Sequence, residues 1–158
     1  MDRFLIKEIS TYPQPLEELE VLNRIDSGSM DKPIDVEPIT LEELTFLQQM
    51  TRRIFLHDTL KAYIVDLINT TRGMGPNPLP GFSQHVRVGA SPRGGIALMR
   101  VSQAVALMQG RNYVMPEDIK KLRHPILRHR IIRTFDAMAD DISVDGLIDA
   151  VFSAVAVP

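Results

Sequence analysis

Apolar residues recur at helical spacing along most of this chain, and the longest such segment lies beyond its middle. It covers about residues 92–109, with apolar side chains at Ile96, Leu98, Met99, Val101, Ala104, Val105, Leu107 and Met108. Ser91 can cap this helix through its hydroxyl group, Pro92 suits the first helical position, and Gly110 suits a left-handed end. Because apolar residues occupy most of the circumference, we expect this helix to be central.

Three shorter helices are predicted before the long one. The first begins at Gln14-Pro15 and reaches about Arg24, with Leu16, Leu19 and Leu22 on one face. The second begins at Thr40, which forms a capping box with Glu43, and ends near Ile54. The third is capped by Asp58 and ends at Arg72-Gly73, and its buried stripe consists of Leu60, Ile64, Leu67 and Ile68.

Two further helices are predicted after the long one. The first begins at Pro116 and ends near His124, because Pro125 follows. Met115 stands at its N-cap, where a hydroxyl residue would cap the helix better by about 1 kcal/mol. The second is capped by Ser143 and buries Leu147, Ile148, Val151 and Val155.

The remaining segments complete the predicted fold, which is mainly α. Residues 4–10 alternate partly and are predicted as a short strand, which belongs to a sheet outside this chain because no partner strand is evident. The prediction is therefore a helical bundle over residues 14–158 with a short N-terminal strand within residues 1–13. A polar linker near residues 27–39 and a Gly/Pro-rich loop at residues 73–87 are expected to be the most mobile parts.

Composition narrows the possible classes of protein. A length of 158 residues allows one domain with a sizeable core, and 44% hydrophobic residues exclude a disordered chain. The net charge of −2 excludes a strongly basic nucleic-acid binder, and the absence of cysteine excludes a disulfide framework. No apolar run is long enough for a membrane span and no signal peptide is evident, so we expect a cytoplasmic protein without a membrane partner.

Two clusters of polar residues could carry chemistry. The four histidines, His57, His85, His124 and His129, lack metal-ligand spacing, so no metal site is predicted. Residues 123–133 contain four arginines and two histidines between apolar residues. This basic stretch could contact phosphate, or it could form a solvated edge or pair with acids of the same chain.

A third candidate is the arginine in the first turn of the long helix. Arg93 and Arg100 lie on one stripe of that helix, and Arg100 is interpreted as a solvated residue. The chain has no Gly-x-x-x-x-Gly-Lys-Ser/Thr loop, which would cradle nucleotide phosphates through its backbone N–H groups. Arg93 therefore resembles one half of an ATP site whose other half lies on another piece of protein.

Several motifs together resemble the C-terminal part of MoxR-type AAA+ ATPases. They are Arg87-Val88-Gly89-Ala90-Ser91-Pro92-Arg93, Gly110-Arg111-Asn112-Tyr113 with Pro116-Glu117-Asp118, Ile126 to Ile131, and the opening Asp2-Arg3-Phe4 with Tyr12-Pro13. The resemblance implies that residues 1–13 end the ATPase core and that the rest is the helical lid subdomain. It further implies that the phosphate loop and the acidic Mg²⁺ site lie upstream of residue 1.

The resemblance also implies roles for two arginines. Arg93 matches the sensor 2 arginine, which reaches toward the γ-phosphate of ATP, and Arg3 matches a segment that serves a neighbouring subunit as an arginine finger. The expected parent uses ATP and Mg²⁺, forms a homo-oligomeric, hexameric ring with its own upstream core, and remodels protein clients. A von Willebrand factor A-domain protein is the implied partner. This chain alone, without Walker A and Walker B motifs, is expected neither to hydrolyse ATP nor to bind it tightly.

An alternative function remains open at this point. The chain could be a free-standing helical adaptor, or a nucleic-acid-binding module that uses the basic stretch at residues 123–133.

Overall fold

The structure, a computed structural model, describes residues 3–31, 36–76 and 79–158. Its elements in chain order are α1 (Pro15–Asp26), a 3-10 turn (Ser29–Asp31), α2 (Leu41–Arg53), α3 (Asp58–Thr70), α4 (Phe82–His85), β1 (Val86–Val88), α5 (Pro92–Met108), α6 (Pro116–Lys121), α7 (Arg123–Leu127), β2 (Ile132–Arg133), α8 (Phe135–Ala139) and α9 (Val144–Ala154). The predicted mainly α class is confirmed. Parts of the predicted linker and loop, residues 32–35 and 77–78, lie outside the described residues.

Helix α5 is central, as its pattern predicts, and it packs against α2, α3, α6 and α7. Its buried positions are Gly94, Ala97, Leu98, Val101, Ser102, Gln103 and Ala106. Two of the apolar residues in its predicted pattern are nevertheless at the surface, since Ile96 and Met108 are 54% and 86% exposed. Neighbouring helices cover only part of the circumference of α5, and its apolar residues on the open side stay at the surface.

Helices α3 and α9 contribute five and three buried apolar side chains to the core. The residues of both predicted stripes are buried. The stripe of α3 runs from Leu60 to Ile68, and that of α9 runs from Leu147 to Val155, the residue directly after the helix. The N-cap of α3 is His57, because its Nδ1 atom accepts the N–H of Thr59 at 3.2 Å. The prediction of Asp58 as the cap is therefore wrong by one residue, and Asp58 instead binds Lys61 at 2.8 Å.

The predicted loop at residues 73–87 contains regular structure. Phe82 opens α4 and is buried, and β1 follows directly. Strand β1 pairs antiparallel with β2, with Val86 opposite Arg133 and Val88 opposite Ile132. The prediction missed this sheet because each strand is too short to show a period, and its partner is distant along the chain.

The segment at residues 4–10 is not a strand in this structure, which corrects the prediction. It runs along the end of α7, where the N–H of Lys7 donates to the carbonyl oxygen of Pro125 at 2.9 Å. A strand requires a hydrogen-bonded ladder with a neighbour, and among the described residues the segment has no such ladder.

Pro125 likewise departs from the prediction, because it lies inside α7 rather than after the end of a helix. The helix predicted from Pro116 to His124 is divided into α6 and α7, with Leu122 between them. Pro125 is the third residue of α7, and the first-turn N–H groups of a helix have no intrahelical acceptor. A proline at this position therefore costs the helix little.

Helices α1 and α2 form as predicted but bury none of their residues. The capping box of α2 is confirmed, with the N–H of Glu43 donating to the hydroxyl of Thr40 at 3.1 Å and the N–H of Thr40 donating to the Glu43 carboxylate at 2.7 Å. The three leucines of the α1 face, Leu16, Leu19 and Leu22, are 81%, 54% and 63% exposed. No helix in the described part of the chain is long and apolar enough to span a bilayer.

Candidate functional site

The N-terminus of α5 presents Arg93 to solvent. Ser91 is the N-cap, and its hydroxyl accepts the N–H of Arg93 at 3.2 Å, as predicted. The N–H of Gly94 donates to the carbonyl oxygen of Ser91 at 2.9 Å. These bonds satisfy the N–H groups of Arg93 and Gly94, and the exposed Arg93 guanidinium can offer hydrogen bonds to an anion.

The cap of α5 is fixed to the end of α3 by hydrogen bonds. The buried hydroxyl of Thr71 accepts the N–H of Ala90 at 3.0 Å and donates to the carbonyl oxygen of Ile68 at 2.7 Å. Arg72 donates from Nε to the carbonyl oxygen of Ala90 at 2.7 Å. Sequence reasoning missed Thr71 and Arg72, although a basic residue at a helix end is typical of a donor to nearby carbonyl groups.

Two glycines allow this close approach. A Cβ atom at Gly89 would lie 2.2 Å from the carbonyl oxygen of Thr71, which leaves no room for a side chain. A Cβ atom at Gly94 would lie 3.2 Å from Ile68 Cδ1 and 3.3 Å from Arg130 Cδ. Gly94 therefore lets the first turn of α5 pack tightly against Ile68 and Arg130.

Two concave surfaces flank this turn. A cavity of about 410 Å³ lies between the end of α3 and the segment from β1 to Pro92, and Arg87 lines it. An apolar groove of about 350 Å³ lies between α3 and α5, where Ile64, Val65, Ile68, Ile96 and Met99 line it. Pro92 lines both, so Arg93 follows a residue that the two surfaces share.

The basic stretch at residues 123–133 pairs within the chain. Arg128 binds Asp145 of α9 with two hydrogen bonds, each 2.8 Å long. Arg123 donates to Asp149 at 2.6 Å, and His124 Nε2 lies 2.9 Å from the same carboxylate oxygen. Arg133 donates to the carbonyl oxygen of Ile142 at 2.6 Å. The interpretation of this stretch as pairing with acids of the same chain is confirmed for Arg123 and Arg128.

These pairs shift the titration of their acids. The hydrogen bonds from Arg128 hold the pKa of Asp145 below its usual range, and those from Arg123 do the same for Asp149. Both effects outweigh desolvation, which acts in the opposite direction.

Arg111 and Asp118 form a more buried ion pair at the start of α6. Two guanidinium nitrogens of Arg111 donate to the Asp118 carboxylate at 2.7 and 2.9 Å, and the side chain of Asp118 is 2% exposed. Burial raises the pKa of Asp118. The hydrogen bonds from Arg111 and from the N–H of Met115 together lower it by more, so the net shift is downward. The Asp118 carboxylate also accepts the N–H of Met115 at 2.8 Å, which joins the N-cap residue to the first turn of α6.

Arg3 lies in the N-terminal segment, far along the chain from Arg93, and its side chain is exposed. Its guanidinium carbon lies 5.8 Å from the ring centre of Phe4. The carbonyl oxygen of Phe4 accepts hydrogen bonds from Arg130 and, at 3.0 Å, lies within bonding distance of His129 Nε2. The contacts among the described residues do not join Arg3 to Arg93 directly.

Arg100 is exposed, as predicted, and like Arg87 and Arg93 its side chain makes no hydrogen bond or ion pair with the described residues. The same residues contain no group of three or more histidine, aspartate or glutamate side chains that could hold a metal ion.

Comparison with known proteins places this geometry in a family. Residues 82–151 match the AAA lid domain, and this range contains the turn that bears Arg93 and the basic stretch at residues 123–133. The chain is 34% identical to Chaperone MoxR1 of Mycobacterium tuberculosis over 99% of its own length and 41% of that protein. It is 38% identical to the uncharacterized protein YeaC of Bacillus subtilis over its whole length and 46% of that protein.

A solved structure agrees with the sequence relatives. The crystal structure of a protein from Cytophaga hutchinsonii, described as a putative ATPase, superposes with a TM-score of 0.90 at 32% identity, over 99% of this chain and 47% of that one. The chain therefore spans less than half the length of these relatives. The chain contains the AAA lid domain and is similar over its whole length to these relatives. It therefore belongs to the MoxR-type AAA+ ATPase family and corresponds to the C-terminal, lid-bearing portion of its members.

Proposed function

We propose that this chain is the nucleotide-responsive lid of a ring-forming ATPase, in which Arg93 contacts the γ-phosphate of ATP. The observation that carries the proposal is an exposed guanidinium without a partner among the described residues, on a rigid helix turn. Arg111, Arg123, Arg128, Arg130 and Arg133 are all engaged inside the chain. Arg93 differs from them in that it remains available to an external anion.

The chemistry of phosphoryl transfer suits such a residue. Charge spreads over the equatorial oxygens of the transferred group in the transition state, and a permanently charged, planar donor can bind two of them. The bonds from Thr71 and Arg72 to the cap of α5 hold the backbone that carries Arg93. A well-held donor adds more catalysis than a mobile one, because little reorganisation is needed when charge develops.

The remaining parts of the proposal concern the whole ATPase. An upstream core would supply the phosphate loop and the ligands of Mg²⁺, and Arg3 would act on ATP in the neighbouring subunit of a hexameric ring. The exposed apolar faces of α1 and α2 support a core packed against them, since a monomeric domain rarely exposes contiguous apolar surface. ATP turnover would move the lid against the core and remodel a protein client, with a von Willebrand factor A-domain protein as partner.

The alternative of a nucleic-acid-binding module gains no support from the geometry. The arginines of residues 123–133 donate hydrogen bonds to acids and carbonyl groups of the chain. Phosphate contacts require exposed cationic groups.

The test uses Arg93→Ala in the longer ATPase, with Arg100→Ala as a matched control on the same helix. We expect turnover to fall by about 10³-fold for Arg93→Ala, because contacts of this type act on the transferred phosphoryl group. Arg93→Lys should rescue turnover only in part, since an ammonium lacks the two-pronged geometry. Turnover and thermal midpoint are measured together.

Two results would contradict the proposal. One is a turnover loss at position 93 no greater than that at position 100. The other is a loss that a lowered thermal midpoint fully explains.

A further inference from the structure

Arg130 connects the two segments that carry the candidate arginines. Its side chain is 5% exposed and runs beneath the first turn of α5, where a Cβ atom at Gly94 would lie 3.3 Å from Arg130 Cδ. Its guanidinium donates to the carbonyl oxygen of Phe4 and, at 3.3 Å, to that of Leu5. One buried side chain therefore donates hydrogen bonds to the backbone next to Arg3, and its aliphatic stem lies close to Gly94, the residue after Arg93.

The Arg130 guanidinium is also bonded within its own part of the chain. A third bond goes to the carbonyl oxygen of Ile126, one turn earlier, at the end of α7. A guanidinium offers five N–H donors in a fixed plane, so it can hold carbonyl groups from two segments at once. A lysine at this position would keep the charge and the aliphatic stem but would lack that spread of donors.

Neighbouring contacts strengthen the same junction. His129 Nε2 lies 3.0 Å from the carbonyl oxygen of Phe4, and the N–H of Lys7 donates to the carbonyl oxygen of Pro125. Segment 3–9 is thus fastened to the end of α7 by its backbone, which leaves the Arg3 side chain exposed.

We infer that Arg130 is a positioning residue that ties the segment bearing Arg3 to the helix turn bearing Arg93. The inference rests on the proposed function for the roles of those two arginines, whereas the tie itself does not. When the lid moves in response to nucleotide at Arg93, Arg130 transmits that displacement to Arg3. The two candidate phosphate-binding groups, which would serve different ATP molecules, then move together.

The first experiment measures amide hydrogen exchange in this chain, for Arg130→Lys against Arg123→Lys. The control makes the same change in α7 and loses the bond to Asp149 without touching segment 3–9. We expect exchange of the Lys7 amide to accelerate by about ten-fold or more in Arg130→Lys and to stay near the parent rate in the control, since local opening exposes only the released segment. Unchanged exchange at Lys7, or equal acceleration at Lys7 and along α5, overturns the inference.

The second experiment measures kcat and the KM for ATP of the same two variants in the longer ATPase, beside Arg93→Ala. We expect Arg130→Lys to lower kcat by about ten-fold, because a displaced catalytic group loses orientation, and to leave the KM within about two-fold. If Arg93→Ala abolishes turnover but Arg130→Lys does not lower kcat, the inference fails and the proposed function stands. If Arg93→Ala has no effect, the proposed function fails. The connection that Arg130 makes between segment 3–9 and the first turn of α5 is then tested by the exchange experiment alone.

Discussion

At the scale of single residues, the turn that presents Arg93 depends on small side chains and a few hydrogen bonds. Gly89 passes so close to the backbone of Thr71 that only a hydrogen fits between them. Thr71 and Arg72 then bind the amide and the carbonyl group of Ala90. The backbone that carries Arg93 is therefore held by residues at the end of another helix.

This arrangement predicts a large effect of Gly89→Ala and a small effect of Gly95→Ala. The first change places Cβ 2.2 Å from a backbone oxygen that cannot move aside, and we expect it to lower the free energy of unfolding by about 3 kcal/mol. The second places Cβ in ordinary contact with Ile64, 3.4 Å away. Inside a helix, alanine is more favourable than glycine by about 1 kcal/mol. Urea unfolding measures both.

Equal unfolding free energies for the two alanine variants would show that the turn can shift away from α3. The position of Arg93 would then not depend on the close contact of Gly89.

At the scale of elements, ion pairs join the short helices that follow α5. Arg128 of the segment after α7 binds Asp145 of α9, and Arg123 of α7 binds Asp149 of α9. Each acid has a lowered pKa in the folded chain. Short helices of five or six residues are not stable alone, so such cross-links and the buried apolar residues between them hold this part together.

The lowered pKa values predict a loss of stability in acid. A carboxyl group whose folded pKa lies below its unfolded value, about 3.9, stabilises the fold above that value and stops doing so as the pH falls through the folded pKa. Asp145→Asn should therefore cost less than about 1 kcal/mol at pH 7, since the pair is partly exposed, and its difference from the parent should shrink below about pH 4.

Urea unfolding of the parent and of Asp145→Asn across this pH range is the measurement, with Asp141→Asn as a control that forms no ion pair among the described residues. A difference that stays constant down to about pH 2.5 would contradict the titration of Asp145 as its source.

At the scale of the whole molecule, the described chain has one well-packed part and one open part. The core lies between residues 54 and 155, whereas the residues before Ile54 contribute none of the buried apolar side chains in the described structure. The exposed leucines of α1 face outward, and the N-terminal segment is held mainly by its backbone bonds to Arg130, His129 and Pro125. Under the proposed function, the open part would pack against the ATPase core.

This division predicts opposite outcomes for two leucines. Leu22→Glu, at a side chain that is 63% exposed, should change the unfolding free energy of this chain by no more than about 0.5 kcal/mol. Leu67→Ala, at a fully buried side chain, should cost about 3 kcal/mol. In the longer ATPase, Leu22→Glu should become destabilising, because the proposed core would bury that face.

Thermal unfolding of both variants, in the chain and in the ATPase, gives the comparison. A large loss for Leu22→Glu in this chain alone would mean that α1 packs on the core described here. No loss in the ATPase would argue against a domain on that face.

The sequence by itself determined the parts of this protein that depend on local interactions. The extent of α5, its Ser91 cap, the capping box of α2 and the buried stripes of α3 and α9 follow from residues a few positions apart, because capping and helical periodicity act over one or two turns. The resemblance to the family rested on such short motifs and also singled out Arg93 and Arg3, whose roles remain proposals.

Only the tertiary structure decided which distant groups meet. The pairing of β1 with β2, the course of residues 4–10 along α7, the partners of the basic stretch and the place of Arg130 beside Gly94 all join residues far apart along the chain. Short-range patterns carry no information on such contacts, because many partners of equal chemistry are available to a carbonyl group or a guanidinium. Packing of the helices around α5 selects among them, and it brings Arg130 within reach of both arginine-bearing segments.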